Sequence, residues 1–336
     1  MSRTLILPES GVGPLLEAVL AKTRLVAPCE GEGRFRFARI ASAGDVRLPE
    51  ISAANSVKEF FFPKSELLAT YKGRGRSVEV VASDARAAKP FVIFGARPCD
   101  AAALEIMDKV FSSDAVDETW KARRDAATVI TVGCAKADKY CFCTSVGLAP
   151  DSPGGADVIL LPVEGASFAV EAVTAKGEAF VAAYAAFFKP DAGAKREPAT
   201  VARSFDPSSA TRWLAGNFDS PLWAAESLRC LGCGICTYYC PTCHCFDIQD
   251  EADGDAGLRL KNWDSCSFAL FTKHASGHNP RGDRAARWRQ RIMHKFSYYP
   301  KLFGVISCTG CGRCARLCPV DLGVEETLRA IGEGHE

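Results

Sequence analysis

Residues 228–250, LRCLGCGICTYYCPTCHCFDIQD, place six cysteines within sixteen residues of the chain. The whole sequence has 336 residues and 16 cysteines. Burial can account for a few free cysteines, because the thiol behaves as a small hydrophobic group, but it does not account for clustering. In a reducing compartment, clustered thiols more often bind metal than form disulfides. The stretch therefore predicts a metal-binding domain.

The cysteine pattern of this stretch occurs a second time near the C-terminus. Residues 230–241 and 308–319 align without gaps, and both read C-x-G-C-G-x-C-x-x-x-C-P. This is the bacterial ferredoxin pattern for a 4Fe–4S cluster, in which the fourth cysteine of each repeat binds the other cluster. On that rule the sequence predicts two clusters, the first held by Cys230, Cys233, Cys236 and Cys318, the second by Cys308, Cys311, Cys314 and Cys240.

Structural zinc is the alternative, because Zn²⁺ also binds four thiolates. Zinc sites usually have two separated C-x-x-C pairs, whereas each repeat here has three cysteines at steps of three before a Cys-Pro. The duplicated spacing favours iron–sulfur clusters.

Length and composition indicate an ordinary globular protein with 48% apolar and 24% charged residues. We expect two domains, an α/β domain at 1–190 and a ferredoxin domain at 208–336, joined by a linker at 191–207. A net charge of +1 argues against nucleic acid or an anionic membrane as a partner. Residues 1–13 lack signal-peptide features and no apolar run reaches about 18 residues, so we expect a cytoplasmic protein without membrane insertion.

The N-terminal half alternates β-prone and helical stretches, which predicts an α/β or α+β domain with a mainly parallel sheet. The predicted strands are 78–82, 91–94, 127–132, 158–161 and 169–173, and the predicted helices are 15–22 and 101–111. The C-terminal half looks helical around its cysteine repeats, notably at 283–296 and 324–331. We therefore expect an all-α helical ferredoxin domain that holds both 4Fe–4S clusters.

Four further cysteines follow predicted strands of the N-terminal half. Cys99 starts the helix after one strand, whereas Cys134, Cys141 and Cys143 lie in the loop after the next. Because the carboxyl ends of parallel strands meet at one edge of a sheet, these thiols are expected to converge. A third iron–sulfur cluster is the preferred interpretation; buried core cysteines and a redox-active thiol pair are the alternatives. The helix N-terminus is expected to favour the Cys99 thiolate.

The other cysteines have no evident ligand set. Cys29 stands alone, whereas Cys243, Cys245 and Cys266 follow the first repeat and could line a cluster pocket. A further metal site built from the last three lacks an obvious fourth ligand, since a histidine such as His244 beside cysteines is more often a neighbour than a ligand.

A basic helix is predicted between the repeats. Arg284, Arg287, Arg291 and Lys295 fall on one helical face at steps of three or four. The face is either solvated, or it offsets the negative charge of thiolate-bound clusters or docks an acidic partner.

The sequence contains no motif for a bound nucleotide or for hydrolytic catalysis. Paired glycines occur, but none completes G-x-G-x-x-G or a P-loop, and no Ser-His-Asp order or H-E-x-x-H is present. We therefore assign no catalytic residue and no flavin or nicotinamide site.

Several motifs resemble one known family. They are KEFFFPKSELL (58–68), FGARPCDAAALEIMDKVF (94–111), CFCTSVG (141–147), CPTCHCFD (240–247), NWDSC (262–266) and RQRIMHKF (289–296). Together with the repeats they resemble the family of iron–sulfur subunits that includes one from anaerobic sulfite reductase and the β subunit of cytoplasmic hydrogenase or sulfhydrogenase. The resemblance implies an electron-transfer subunit beside an NAD(P)H-dependent flavoprotein, serving a catalytic hydrogenase, sulfite reductase or heterodisulfide reductase-like subunit.

Two functions follow as hypotheses. The preferred one is a non-catalytic relay subunit that passes electrons through its clusters between partners of an anaerobic redox complex. The alternative is a reductase of a sulfur compound with its own site at Cys99, Cys134, Cys141 and Cys143. A cluster-based redox sensor is weaker still, because no DNA-binding motif is present.

Overall fold

The structure is a computed structural model that describes residues 5–74, 77–84, 88–165, 167–191 and 193–333. Its strands are β1 (Leu5–Pro8), β2 (Arg24–Gly31), β3 (Arg34–Ile40), β4 (Ser65–Arg74), β5 (Ser77–Ala82), β6 (Phe91–Ala96), β7 (Ala127–Val132), β8 (Val158–Val163), β9 (Ser167–Ala172), β10 (Lys189–Pro190), β11 (Phe246–Asp253) and β12 (Ala256–Trp263). Its α-helices are α1 (Glu9–Leu20), α2 (Pro98–Phe111), α3 (Glu118–Ala126), α4 (Ala175–Ala183), α5 (Pro207–Gly216), α6 (Leu222–Ser227), α7 (Ile235–Tyr238), α8 (Arg284–Met293), α9 (Tyr299–Phe303), α10 (Arg313–Arg316) and α11 (Val324–Gly332).

The larger sheet has the strand order β10-β1-β9-β8-β7-β6-β2-β3. Only the central strands β2, β6, β7 and β8 pair in parallel, and both edges are antiparallel. The prediction of a mainly parallel sheet is therefore wrong, because the sheet is mixed. Tight turns at Glu32–Gly33 and Gly165, all with positive φ, return the chain as hairpins at β2–β3 and β8–β9.

Helices cover both faces of this sheet, and its central strand β6 is buried along its whole length. On one face α1 packs Leu15, Leu16 and Val19 into the core. On the other, α2 packs Leu104 and Met107 against aromatic residues of the neighbouring segments. Burying a side chain of this kind contributes about 1.5–3 kcal/mol, so the two layers fix the positions of the strand ends.

The smaller sheet, in the order β11-β12-β4-β5, joins the two halves of the chain. The hairpin β11–β12 belongs to the C-terminal half, and β12 pairs with β4 of the N-terminal half. Lys261 on β12 reaches the buried Glu66 on β4 at 2.8 Å. The expected all-α ferredoxin domain is thus not confirmed. Gly254, with φ +60, makes the tight turn of a hairpin that the helical interpretation overlooked.

Short helices surround the two cysteine repeats. Trp288 and Ile292 of α8 pack with Phe296 and with Leu328 of α11 in a core of their own. After α8 the helix widens into a π-helical turn, His294–Tyr298, before α9 begins. Domain boundaries at 190 and 208 stay a prediction. Within the described part of the chain, no helix has both the length and the apolarity to cross a membrane.

Candidate metal centres

Cysteines of both repeats line one cavity. Its lining includes Cys230, Cys233 and Cys236 from the first repeat and Cys318 from the second, and it measures about 360 Å³ with its mouth included. The backbone N–H of Gly232 points at the Cys230 sulfur from 3.4 Å. Four thiols around one cavity, with an N–H group aimed at a sulfur, fit the donor set of a 4Fe–4S cluster.

The remaining repeat cysteines form a second, more buried group. Cys308 and Cys311 lie close enough to Cys240 and Cys314 for their charges to interact. Burial raises the pKa of Cys308 to about 12 and raises that of Cys311 as well. As free thiols these groups stay protonated at neutral pH, so a bound metal would have to displace their protons.

Three buried cations face the thiols. Lys58, Arg291 and Lys295 are 2%, 2% and 4% exposed, and the opposite charges that act on them most strongly are cysteine thiolates. Lys295 Nζ donates to the Cys240 sulfur at 3.4 Å, and Arg291 Nη1 donates to the Cys243 sulfur at 3.4 Å. A buried cation is costly unless it is paired, and anionic thiolate-bound clusters would provide the pairing.

The basic helical face is therefore divided. Arg291 and Lys295 are buried against the thiols, and the π-helical turn carries Lys295. Arg284 and Arg287 instead donate to backbone carbonyls, among them that of Cys230 at 2.8 Å. The inner half of the face has the geometry to offset cluster charge.

The N-terminal cysteines converge at the edge of the larger sheet. Cys99, Cys134, Cys141 and Cys143 line one cavity of about 430 Å³, mouth included, and Cys311 of the second repeat lines it too. Cys99 lies in the first turn of α2, directly after β6, and Cys134 comes two residues after β7. These are the carboxyl ends of two adjacent parallel strands.

The thiols of this third site are protonated when they carry no metal. Burial raises the pKa of Cys141 and of Cys143 to about 11, and it raises the pKa of Cys99 well above the usual thiol range. The expectation that the helix N-terminus favours a Cys99 thiolate is wrong, because burial outweighs the helix dipole. A donor set of four thiols fits metal ligation.

The third site is packed directly on the second repeat. Gly310 and Gly312 have φ +64 and +72, and a Cβ on either would come within 2.5 Å of the backbone of Cys143 or Tyr140. These glycines allow the contact because they have no side chain.

Two ion pairs lie on either side of this contact. Arg313 reaches Asp100 at 2.7 and 3.0 Å with both side chains fully buried, and Arg316 reaches Asp138 at 2.7 Å. Arg316 also lies 3.7 Å from the Cys141 sulfur. The helix α10 thus joins the second and third thiol groups.

Sequence reasoning missed several buried charges at these sites. Arg97 is 6% exposed and donates to the carbonyls of Val132 and Gly133 at 3.3 and 3.0 Å, which fixes the loop before Cys134. Lys58 donates to the Cys243 carbonyl at 3.0 Å. The signal was available, because charged residues within apolar stretches such as RPCD and VKEFFF are buried with a partner or serve a site.

The remaining cysteines separate into two situations. Cys29 lies in β2, where its thiol donates to the Arg36 carbonyl at 3.6 Å. Cys243, Cys245 and Cys266 lie near the two repeats. His244 packs on His294, and burial lowers its pKa to about 4, so the ring is neutral and Nδ1 donates to the Thr242 carbonyl at 3.1 Å.

Comparisons with known proteins identify the class of this site. Residues 229–322 match the family model described as a 4Fe-4S dicluster domain. The protein is therefore an iron–sulfur, electron-transfer protein whose dicluster domain contains the two repeats.

A longer match identifies the family. The chain is 30% identical over 321 residues to sulfhydrogenase 2 subunit beta of Pyrococcus furiosus, and the alignment covers 93% of both chains. The chain belongs to the family of this subunit, which confirms the resemblance that the motifs predicted. No solved structure matches the chain.

Proposed function

We propose that this chain is the electron-transfer subunit of a cytoplasmic, anaerobic redox complex. It relays electrons between a flavoprotein that exchanges them with NAD(P)H and a catalytic subunit of the hydrogenase, sulfite reductase or heterodisulfide reductase-like kind. The relative's name, a subunit of a sulfhydrogenase, supports membership in a hydrogenase-type complex.

The proposed ligands are three sets of four thiols. They are Cys230, Cys233, Cys236 and Cys318 for the first cluster, Cys308, Cys311, Cys314 and Cys240 for the second, and Cys99, Cys134, Cys141 and Cys143 for the third. When bound, the clusters accept and release single electrons, which is the chemistry that a relay needs.

The contiguity of the thiol groups is the observation that supports a relay best. Cys311, a proposed ligand of the second cluster, lines the cavity of the third site. Cys236 and Cys240 are separated by only one turn of chain and belong to the first and second sets. A continuous series of redox sites from the sheet edge to the first repeat is what electron transfer requires, whereas a single active site does not need it.

The protein's own residues tune and hold these sites. Arg291 and Lys295 place positive charge beside the thiolates, and Arg313 with Asp100 fixes the second repeat against the third site. Charge and hydrogen bonds to sulfur are among the factors that set the potential of an iron–sulfur site.

The first repeat lies at the surface, which supports transfer to a partner there. Cys233 is exposed, and the flanking Leu228 and Leu231 are 81% and 61% exposed. Exposed apolar side chains around a redox ligand are typical of a contact face for another protein.

Iron content tests the ligand sets. Replacing Cys134 by Ser in anaerobically reconstituted protein should lower the iron content from about twelve to about eight per chain, if all three sites hold 4Fe–4S clusters. Cys29→Ser, which changes a thiol far from these sites, should leave the iron content unchanged. Equal iron in Cys134→Ser and wild type would remove the third site.

A turnover assay separates the relay from the alternative, a reductase with its own site at the third thiol set. The isolated chain receives an artificial reductant and a sulfur compound under anaerobic conditions. We expect reduction of the clusters without sustained consumption of the sulfur compound. Sustained turnover that disappears in Cys134→Ser would refute the relay and establish the alternative.

A further inference from the structure

Two cysteines outside all three proposed ligand sets are held together at the end of the β11–β12 hairpin. Cys245 directly precedes β11, and its carbonyl accepts a hydrogen bond of 3.0 Å from the Asp264 backbone just after β12. The chain then turns back, with Phe268 N–H bonded to the Ser265 carbonyl at 3.0 Å. This turn brings Cys266 over Cys245.

The two side chains contact each other directly. The thiol and the backbone N–H of Cys266 both hydrogen-bond to the Cys245 sulfur, and the thiol contact is the main reason why the pKa of Cys245 is lowered. The same contact, together with burial, raises the pKa of Cys266. A thiolate against a neighbouring thiol is the arrangement from which a disulfide forms and to which it returns on reduction.

The pair lies between the first and second proposed clusters. Cys266 is close enough to Cys236 for their charges to interact, and the adjacent Ser267 lies 3.7 Å from the Cys236 sulfur. On the other side, Cys243 interacts with Cys245 and also hydrogen-bonds to Cys240. The pair is therefore next to ligands of both repeats.

The surrounding charges favour a thiolate at this position. Lys58 and Lys295, both buried, interact with Cys245, and Arg291 interacts with Cys266. Nε of Arg291 is buried without a hydrogen-bond partner.

We propose that Cys245 and Cys266 form a redox-active dithiol that stores two electrons next to the iron–sulfur clusters. On oxidation the two S–H bonds break, one S–S bond forms, two protons leave to solvent, and two clusters each accept one electron. On reduction the same electrons and protons return and the S–S bond breaks. The pair thereby couples a two-electron partner to one-electron carriers, and this proposal rests on the clusters of the proposed function.

The experiment measures thiols and iron in the same samples of the whole, cluster-loaded protein. Samples are poised anaerobically at oxidising and reducing potentials, quenched in acid and alkylated with N-ethylmaleimide after denaturation. Peptide mass spectrometry then identifies any link between Cys245 and Cys266. We expect the linked peptides in oxidised wild type and two additional alkylated cysteines in reduced wild type.

Two variants make the result specific. Cys266→Ser should lose the link and the two-cysteine difference while retaining the iron content and the cluster signals of wild type. Cys29→Ser should retain all of them. If both thiols are alkylated at every potential, or if Cys266→Ser or Cys245→Ser loses iron, the dithiol proposal is wrong; in the second case the residues are ligands.

The same data distinguish the two levels of the argument. Wild type with full iron but no Cys245–Cys266 link contradicts the dithiol alone. Wild type without iron contradicts the relay, and with it the proposed electron acceptor of the dithiol.

Discussion

The buried ion pair between Asp100 and Arg313 gives the sharpest prediction on stability. Arg313 is 1% and Asp100 0% exposed, and their two contacts measure 2.7 and 3.0 Å. Asp100→Asn keeps the size of the side chain and an oxygen that can accept from the Arg97 backbone, but it removes the negative charge. The guanidinium then stays buried without its counter-ion.

The expected cost is large because both partners are withdrawn from water. Breaking a buried pair by removing one partner costs about 3–5 kcal/mol. At about 2–4 °C per kcal/mol for a folded unit of this size, the unfolding temperature of the cluster-loaded protein should fall by about 6–20 °C. Anaerobic circular dichroism during heating measures this fall.

A matched control and a double variant complete the experiment. Asp250→Asn makes the same change at the exposed pair with Arg259 and should shift the unfolding temperature far less. Adding Arg313→Met to Asp100→Asn should recover part of the loss, since no charge is then left unpaired. If Asp100→Asn is no more destabilising than Asp250→Asn, the reasoning about this buried contact is wrong.

Two further changes test the packing and the charge at the thiol sites. Gly310→Ala adds a Cβ within 2.5 Å of the Cys143 backbone besides about 1–2 kcal/mol for positive φ, so iron at the third site should fall. Gly304→Ala, with φ +71 but open space, should cost the strain and no iron. Lys295→Met removes a charged hydrogen bond to Cys240, of a kind worth about 1.5–3 kcal/mol, and should make the second cluster's potential more negative in an EPR-monitored titration. An unchanged potential would show that this cation does not tune the cluster.

The local pattern of the sequence predicted most single elements but not their assembly. The five predicted strands of the N-terminal half occur as β5 to β9, because β-branched runs bounded by turns are a local signal. The mixed character of the larger sheet was missed, since strand direction depends on turns such as Glu32–Gly33, which were not used. The hairpin β11–β12 was missed because a long segment between cysteine repeats was interpreted as helix.

The candidate site shows the same division between local and long-range information. Spacing within a repeat is local, and so the repeats could be recognised from sequence; the ligand assignments themselves stay predictions. The contact of Gly310 with Cys143 joins residues far apart in the chain and follows only from tertiary packing. The convergence of Lys58 with Lys295 on the same thiols likewise has no signature in the sequence.

Metal and sulfide analysis of anaerobically purified protein tests the central claim most directly. Iron–sulfur ligation predicts a brown protein with iron and acid-labile sulfide in equal amounts, about eight of each per chain from the dicluster domain and about twelve with the third site. A reduced-state EPR signal should accompany them. Colourless protein that contains zinc, without inorganic sulfide and without that signal, would contradict the account.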